Sequence, residues 1–159
     1  VWMTLGADRF LLDQVRERLN FPETLEAVRE LTRKWPNAMA KLVEDKANGT
    51  AVIASLKHEI VGLIEVQPEG GKEARAHAVS PQIESGNVYL PHPALSTWVC
   101  DYLAEWNSFP RGAHDDQVDS TTQALNRFSM FEEVTTLLFF NADTGGYQEE
   151  PWPAPNSRF

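Results

Sequence analysis

A chain of 159 residues with 42% hydrophobic and 23% charged residues is long enough for one globular domain with its own core. Its formal net charge of −9 excludes indiscriminate nucleic-acid binding through the whole surface, although bound divalent cations would invert that field locally. No apolar run is long enough to span a membrane, Val1–Leu5 lacks the features of a secretory signal, and the single cysteine, Cys100, excludes an internal disulfide and points to a reducing compartment. In chain order, Val1–Leu5 and Arg9–Val15 flank the turn Gly6-Ala7-Asp8 and predict a hairpin. Phe21-Pro22-Glu23-Thr24 opens a helix that ends before Pro36, with Leu25, Val28 and Leu31 at helical spacing. Ala40–Glu44 predicts a strand, Thr50–Glu59 a helix and Ile60–Val66 the next strand. Lys72–Glu84 predicts a helix interrupted at Ser80-Pro81, and Asn87–Leu90 a short strand. Ala94–Trp106 predicts an amphipathic helix with Leu95, Trp98, Val99, Tyr102, Leu103 and Trp106 on its apolar side. Alternation of strands and helices after a hairpin predicts an α/β fold with one mixed sheet.

The segment from Phe109 to Ser120 holds the densest chemistry. Asp115, Asp116 and Asp119 follow the Pro110–Gly112 turn at a predicted helix start, and that helix runs from about His114 to Phe131. Acidic residues suit a first turn, where the helix dipole is positive, so a solvated acidic start is the plain alternative to a site. At about 100° per residue the three aspartates share one arc, while Val118, Thr122, Leu125 and Phe128 share another. The helix therefore buries one side and presents carboxylates on its neighbour.

A second acidic stretch, Glu44-Asp45, ends the predicted strand before the turn Ala47-Asn48-Gly49. Successive strand side chains point to opposite faces, so the two acids cannot both serve one site unless the strand has ended. Carboxylates at strand ends line functional crevices in α/β sheets. Oxygen ligands suit Mg²⁺ or Mn²⁺, and two such ions about 4 Å apart support phosphodiester hydrolysis. No phosphate-binding glycine loop occurs.

Three segments in order resemble the C-terminal nuclease domain of tailed-phage terminase large subunits. They are Val43–Gly49, then Lys72–Ala76 running on to Ile83–Pro91, then Phe109-Pro110 through His114–Ser120, and the likeness extends to about Phe128. The resemblance implies an RNase H-like, resolvase-related fold of mixed sheet flanked by helices, over residues 1–140, with a C-terminal tail over 141–159. It implies a metal-dependent endonuclease that cuts concatemeric double-stranded DNA with two Mg²⁺ or Mn²⁺ ions. It places Asp45 as an acid of the centre, with Glu44 as the second choice, and Asp116, then Asp119, then Asp115 on the closing helix. Asp45, Asp116 and Asp119 would hold metal, Lys72 and Arg75 would face DNA, and Glu44 and His114 would stand behind the ligands. The family carries a further aspartate on a preceding first strand. This chain opens on Val1, so it is expected to be a fragment lacking that strand and feeble in hydrolysis by itself.

Partners implied are double-stranded DNA, an ATPase domain of the same full-length protein, the phage portal and the small terminase subunit, without a membrane. The place implied is the cytoplasm of an infected bacterial host. Two alternatives stand beside this: a catalytically inactive assembly module that keeps the fold, and another RNase H-like nuclease of resolvase type. Of the remaining residues, His58, His77 and His92 lack zinc-type spacing. Cys100 is expected to be buried as a small hydrophobe, and Trp98, Tyr102 and Trp106 to pack in the core.

Overall fold

The computed structural model describes residues 1–45, 49–67 and 69–130. The tail over 141–159 and the end of the domain near 140 lie outside them. Strands β1 (Trp2–Leu5) and β2 (Asp8–Leu11) form an antiparallel hairpin in register from Trp2↔Leu11 to Leu5↔Asp8. The expected second strand ran on to Val15. Instead the chain leaves the sheet at Asp13, whose carboxylate is taken by the indole Nε1 of Trp35 at 2.8 Å and by Lys34 Nζ at 2.7 Å.

Helix α1 (Phe21–Lys34) begins where the sequence places it. Asn20 and Glu23 form a reciprocal capping box, with the Glu23 amide on Asn20 Oδ1 at 3.0 Å and the Asn20 amide on Glu23 Oε2 at 2.8 Å. Strand β3 (Lys41–Glu44), helix α2 (Gly49–Leu56) and strand β4 (Leu63–Val66) form a parallel crossover unit, registered from Lys41↔Leu63 to Glu44↔Val66. The strand expected from Ile60 starts three residues later. Ile60 continues the buried row of Val52 and Leu56 against Phe21, Leu25 and Val28 instead. Gly62 then turns the chain at a φ of 79°, where a side chain would overlap the Met39 carbonyl.

Helix α3 (Lys72–Glu84) runs through Pro81 without the expected break. Proline cannot donate to the carbonyl four residues back, that of His77. Ser80 Oγ donates to it at 3.2 Å, so the vacancy is filled locally. Strand β5 (Val88–Tyr89) pairs in parallel with β2, and Tyr89 stacks on Phe10 with ring centres 4.8 Å apart. Among the described residues the strands therefore divide between a mixed three-stranded sheet ordered β1-β2-β5 and a parallel pair β3-β4, where a mixed sheet was expected.

Helix α4 (Val99–Ser108) starts five residues later than its apolar pattern suggests. The Leu95 and Ser96 amides both bond the His92 carbonyl, closing a separate turn that leaves Leu95 exposed. The inward row of α4 is Val99, Tyr102 and Glu105, while Leu103 and Cys100 face outward. Cys100 is thus exposed and not the buried hydrophobe expected. Tyr102 is buried as expected, while Trp98 and Trp106 are half-buried beside it.

Helix α5 (Asp116–Met130) buries Val118, Thr122 and Leu125 completely, as its arc predicts, and adds Thr121, whose hydroxyl bonds Tyr102 OH at 2.8 Å. Phe128 is half-buried under the Arg9 guanidinium, 5.5 Å from the ring centre. No helix among the described residues is long and apolar enough to cross a membrane.

Candidate functional site

The α5 N-terminus is where the acidic residues meet partners. The Asp119 amide donates to the Asp115 carbonyl at 2.9 Å, so Asp115 is the residue that starts the helix. Its side chain does not turn back on its own helix. Asp115 Oδ1 accepts from Lys72 Nζ at 2.7 Å, and the same ammonium lies 3.1 Å from Asp119 Oδ2. Asp119 Oδ1 accepts from Arg75 Nη2 at 2.6 Å, and Arg75 Nη1 donates to the Gly70 carbonyl at 2.8 Å. Residues three or four apart share a helix face, so Lys72 and Arg75 on α3 meet Asp115 and Asp119 on α5 as two matched ridges.

The two cations differ in setting. Lys72 is 48% exposed, and its pKa is raised by the hydrogen bond to Asp115 first and that to Asp119 second. Arg75 is only 10% exposed, and its Nε is buried without a partner among the described residues. Both residues were expected to face DNA, and here both are engaged with the acids.

At the end of β3 the two acids part as strand alternation demands. Glu44 Oε2 accepts from Gln123 Nε2 of α5 at 3.2 Å. Asp45 stays in the ladder through its amide, which bonds the Val66 carbonyl at 2.9 Å, and its carboxylate accepts from Thr50 Oγ1 at 2.5 Å in the first turn of α2. It is therefore Glu44 whose carboxylate reaches α5, while that of Asp45 is turned to α2. Gly49 makes this packing possible, because a Cβ there would overlap the Glu44 carbonyl oxygen.

On α5, Asp115, Asp119, Gln123 and Asp116 follow one another around an arc of about 100°. Asp116 is exposed and makes no ion pair or side-chain hydrogen bond among the described residues. Gln123 lies one turn beyond Asp119, so Glu44 meets the helix on the acidic arc but about 6 Å further along it. Among the described residues no group of three histidines, cysteines, aspartates or glutamates stands close enough to hold a metal ion together. His114 is exposed and lines an open depression of about 360 Å³ with Arg16, Asp101, Glu105 and Ser108.

The sequence reading missed Glu105. Its side chain is 3% exposed and accepts from the Gln117 amide at 2.6 Å, Gln117 Nε2 at 2.6 Å, the Val118 amide at 3.3 Å and Arg16 Nη2 at 2.8 Å. Gln117 Oε1 in turn accepts from Gln14 Nε2 at 3.0 Å. The only signal in the sequence was a glutamate three residues after Tyr102 and just ahead of a Pro/Gly turn.

A parallel strand–helix–strand unit with an acid at its carboxyl end, closed by a helix carrying more acids, defines a mixed α/β domain with a polar site where strand ends meet a helix start. The chain belongs to the terminase RNaseH-like domain family, whose family model matches residues 3–128. This is the nuclease-type domain of a terminase large subunit that the three motifs anticipated. No curated protein and no solved structure matches the chain.

Proposed function

We propose that this domain is the metal-dependent endonuclease of a phage DNA-packaging motor and cuts concatemeric double-stranded DNA by phosphodiester hydrolysis. The observation that carries this reading is the approach of Glu44, from the end of β3, to the helix face that bears Asp115 and Asp119. The donor set suits Mg²⁺ or Mn²⁺, being carboxylate oxygen throughout. One cation is already accommodated there, since the Lys72 ammonium bridges Asp115 and Asp119. Asp115 and Asp119 would hold an ion in place of the ammonium they now share, and Glu44, further along the arc at Gln123, would serve the second, with Asp116 available on the exposed side; no three of them need close on one ion. Two such ions would activate a water and neutralise the leaving oxygen.

The protein's own groups have distinct tasks. Arg75 fixes the Asp119 carboxylate from its buried side and ties it to the loop at Gly70. Lys72, half exposed, is free to exchange its carboxylates for a DNA phosphate. Asp45 holds the first turn of α2 through Thr50 and supports the strand end from behind. In the motor, the ATPase domain of the same protein, the portal and the small terminase subunit are the partners this reading assigns, in the cytoplasm of the infected host.

The test is nicking of supercoiled plasmid in Mn²⁺ by the full-length protein carrying this domain. Glu44→Gln and Asp119→Asn are each expected to cut the rate on the order of a hundredfold or more, since groups behind a metal ligand are alone worth roughly 10–100-fold. Asp45→Asn is expected to cost less than either. An Asp45→Asn loss larger than that of Glu44→Gln would reverse the assignment at the strand end. The second reading, a module that keeps the fold without cutting, is favoured by the ion pairs that neutralise Asp115 and Asp119. Absence of nicking by the unsubstituted full-length protein would select it.

A further inference from the structure

We infer that Glu105 is a positioning residue: it caps α5 from the neighbouring helix and so releases the Asp115 carboxylate to the acidic site. This rests on the reading above only in counting Asp115 as part of that site.

The first amides of a helix have no partner within it and need an acceptor. The usual acceptor is the side chain of the residue that starts the helix, and aspartate is among the best at this task. Asp115 occupies that position in α5, since its carbonyl takes the first helical hydrogen bond, from Asp119. Left alone, its carboxylate would fold back on the amides of Gln117 and Val118. It does not, because Glu105 Oε1 already holds both, at 2.6 and 3.3 Å. Asp115 Oδ1 instead lies 2.7 Å from Lys72 Nζ, and that ammonium also meets Asp119.

Glu105 is built to keep this place. Burying a carboxylate is costly unless it is fully paired. Here Oε2 takes Arg16 and the Gln117 side chain, and Oε1 takes two amides at the positive end of a helix dipole. The turn between α4 and α5 is drawn tight at Gly112, where a Cβ would overlap the Ser108 side chain. Glu105, near the end of α4, is thereby brought to the start of α5. Glu105 and Asp115 thus compete for one pair of donors, and the outcome decides where the Asp115 carboxylate lies.

The experiment compares Glu105→Ala, Asp115→Ala and the double variant in the full-length protein. Amide hydrogen exchange at Gln117 and Val118 reads the cap, and Mn²⁺-dependent plasmid nicking reads the site. In Glu105→Ala, Asp115 is expected to take over the amides. Their exchange then rises only modestly, and rises by roughly a further five- to tenfold in the double variant, the worth of one helix cap. Nicking by Glu105→Ala is expected to fall as far as nicking by Asp115→Ala, with the double variant no worse than either, because both changes remove the same group from the site. Equal exchange in Glu105→Ala and the double variant overturns the proposal, as do nicking losses that multiply. If Glu105→Ala does not fold, Glu105→Gln serves in its place. Its one acceptor oxygen cannot hold the amides and the Arg16–Gln117 pair together, and the same pattern is expected at smaller amplitude. If the unsubstituted protein does not nick at all, the nuclease reading fails, while the exchange comparison still decides the role of Glu105.

Discussion

Two carboxylate assemblies meet at the start of α5, and they are held by opposite means. Glu105 is sealed from solvent, and two of its four donors are backbone amides that cannot leave. Asp115 and Asp119 lie at the surface, and their donors are side chains, one of which, Lys72, is 48% exposed. The same functional group is thus a fixed strut in one place and an exchangeable ligand in the other. The difference comes from the donor and not from the acid: a backbone amide persists as long as the helix does, whereas an exposed ammonium can be displaced by a competing cation at little cost.

Substitutions that break this contrast should scale with how fixed the donors are. Glu105→Leu unpairs Arg16 and the Gln117 side chain and leaves the two backbone amides to Asp115, and it is expected to cost about 3 kcal/mol, the order seen on breaking a buried charge pair. Urea unfolding monitored through the tryptophans measures it. Asp119→Leu leaves the nine-tenths-buried Arg75 without its carboxylate. That is expected to cost about 2 kcal/mol, in the range for a buried polar group left unsatisfied, and the same unfolding experiment ranks it against Glu105→Leu.

Asp13 is an intermediate case, 15% exposed and held by the Trp35 indole and the Lys34 ammonium. Burial pushes its carboxyl upward, but the hydrogen bonds from Lys34 and Trp35 outweigh that and hold it below its ordinary value of 3.8. A depressed carboxyl stabilises the fold fully above the unfolded value and loses that contribution as pH falls through the folded one. Asp13→Asn should therefore be less stable than the unsubstituted protein by about 1 kcal/mol near neutral pH. The two should converge as pH falls below about 3.8, which thermal melts across pH 2–7 would trace. A difference that persists at the acid end would mean that Asp13 acts by shape and not by charge.

Lys72→Met should change stability least, by under about 0.5 kcal/mol, as for other exposed ion pairs. Its consequence lies elsewhere: with the bridging ammonium gone, Asp115 and Asp119 should bind Mn²⁺ severalfold more tightly by calorimetric titration. Unchanged or weaker binding would show that the lysine supports the carboxylates and does not compete for them.

Local pattern made part of this legible. The helix start at Phe21-Pro22, its end before Pro36 and the buried row Val118, Thr122 and Leu125 follow from spacing alone, because each depends on neighbours within a turn or two; the Asn20–Glu23 capping box emerges only in the structure. Strand alternation told that Glu44 and Asp45 must part, yet the choice of which faces α5 depends on Gln123, 79 residues away. Helix α4 was placed too early because Leu95 and Leu103 keep helical spacing, while the row actually buried contains a glutamate. Periodicity scores a charged residue as outward-facing. It cannot anticipate that distant amides and an arginine will neutralise it. The break expected at Pro81 failed for a related reason, a serine hydroxyl supplying the donor that proline lacks.

The absence of a side chain at Gly49 has a mechanical consequence. With its α-carbon pressed on the Glu44 carbonyl, the crossover helix acts as a doorstop behind the strand tip. Even one methyl group there would prise the two apart and turn a position with no chemistry of its own into a lever on where the glutamate sits relative to the aspartates.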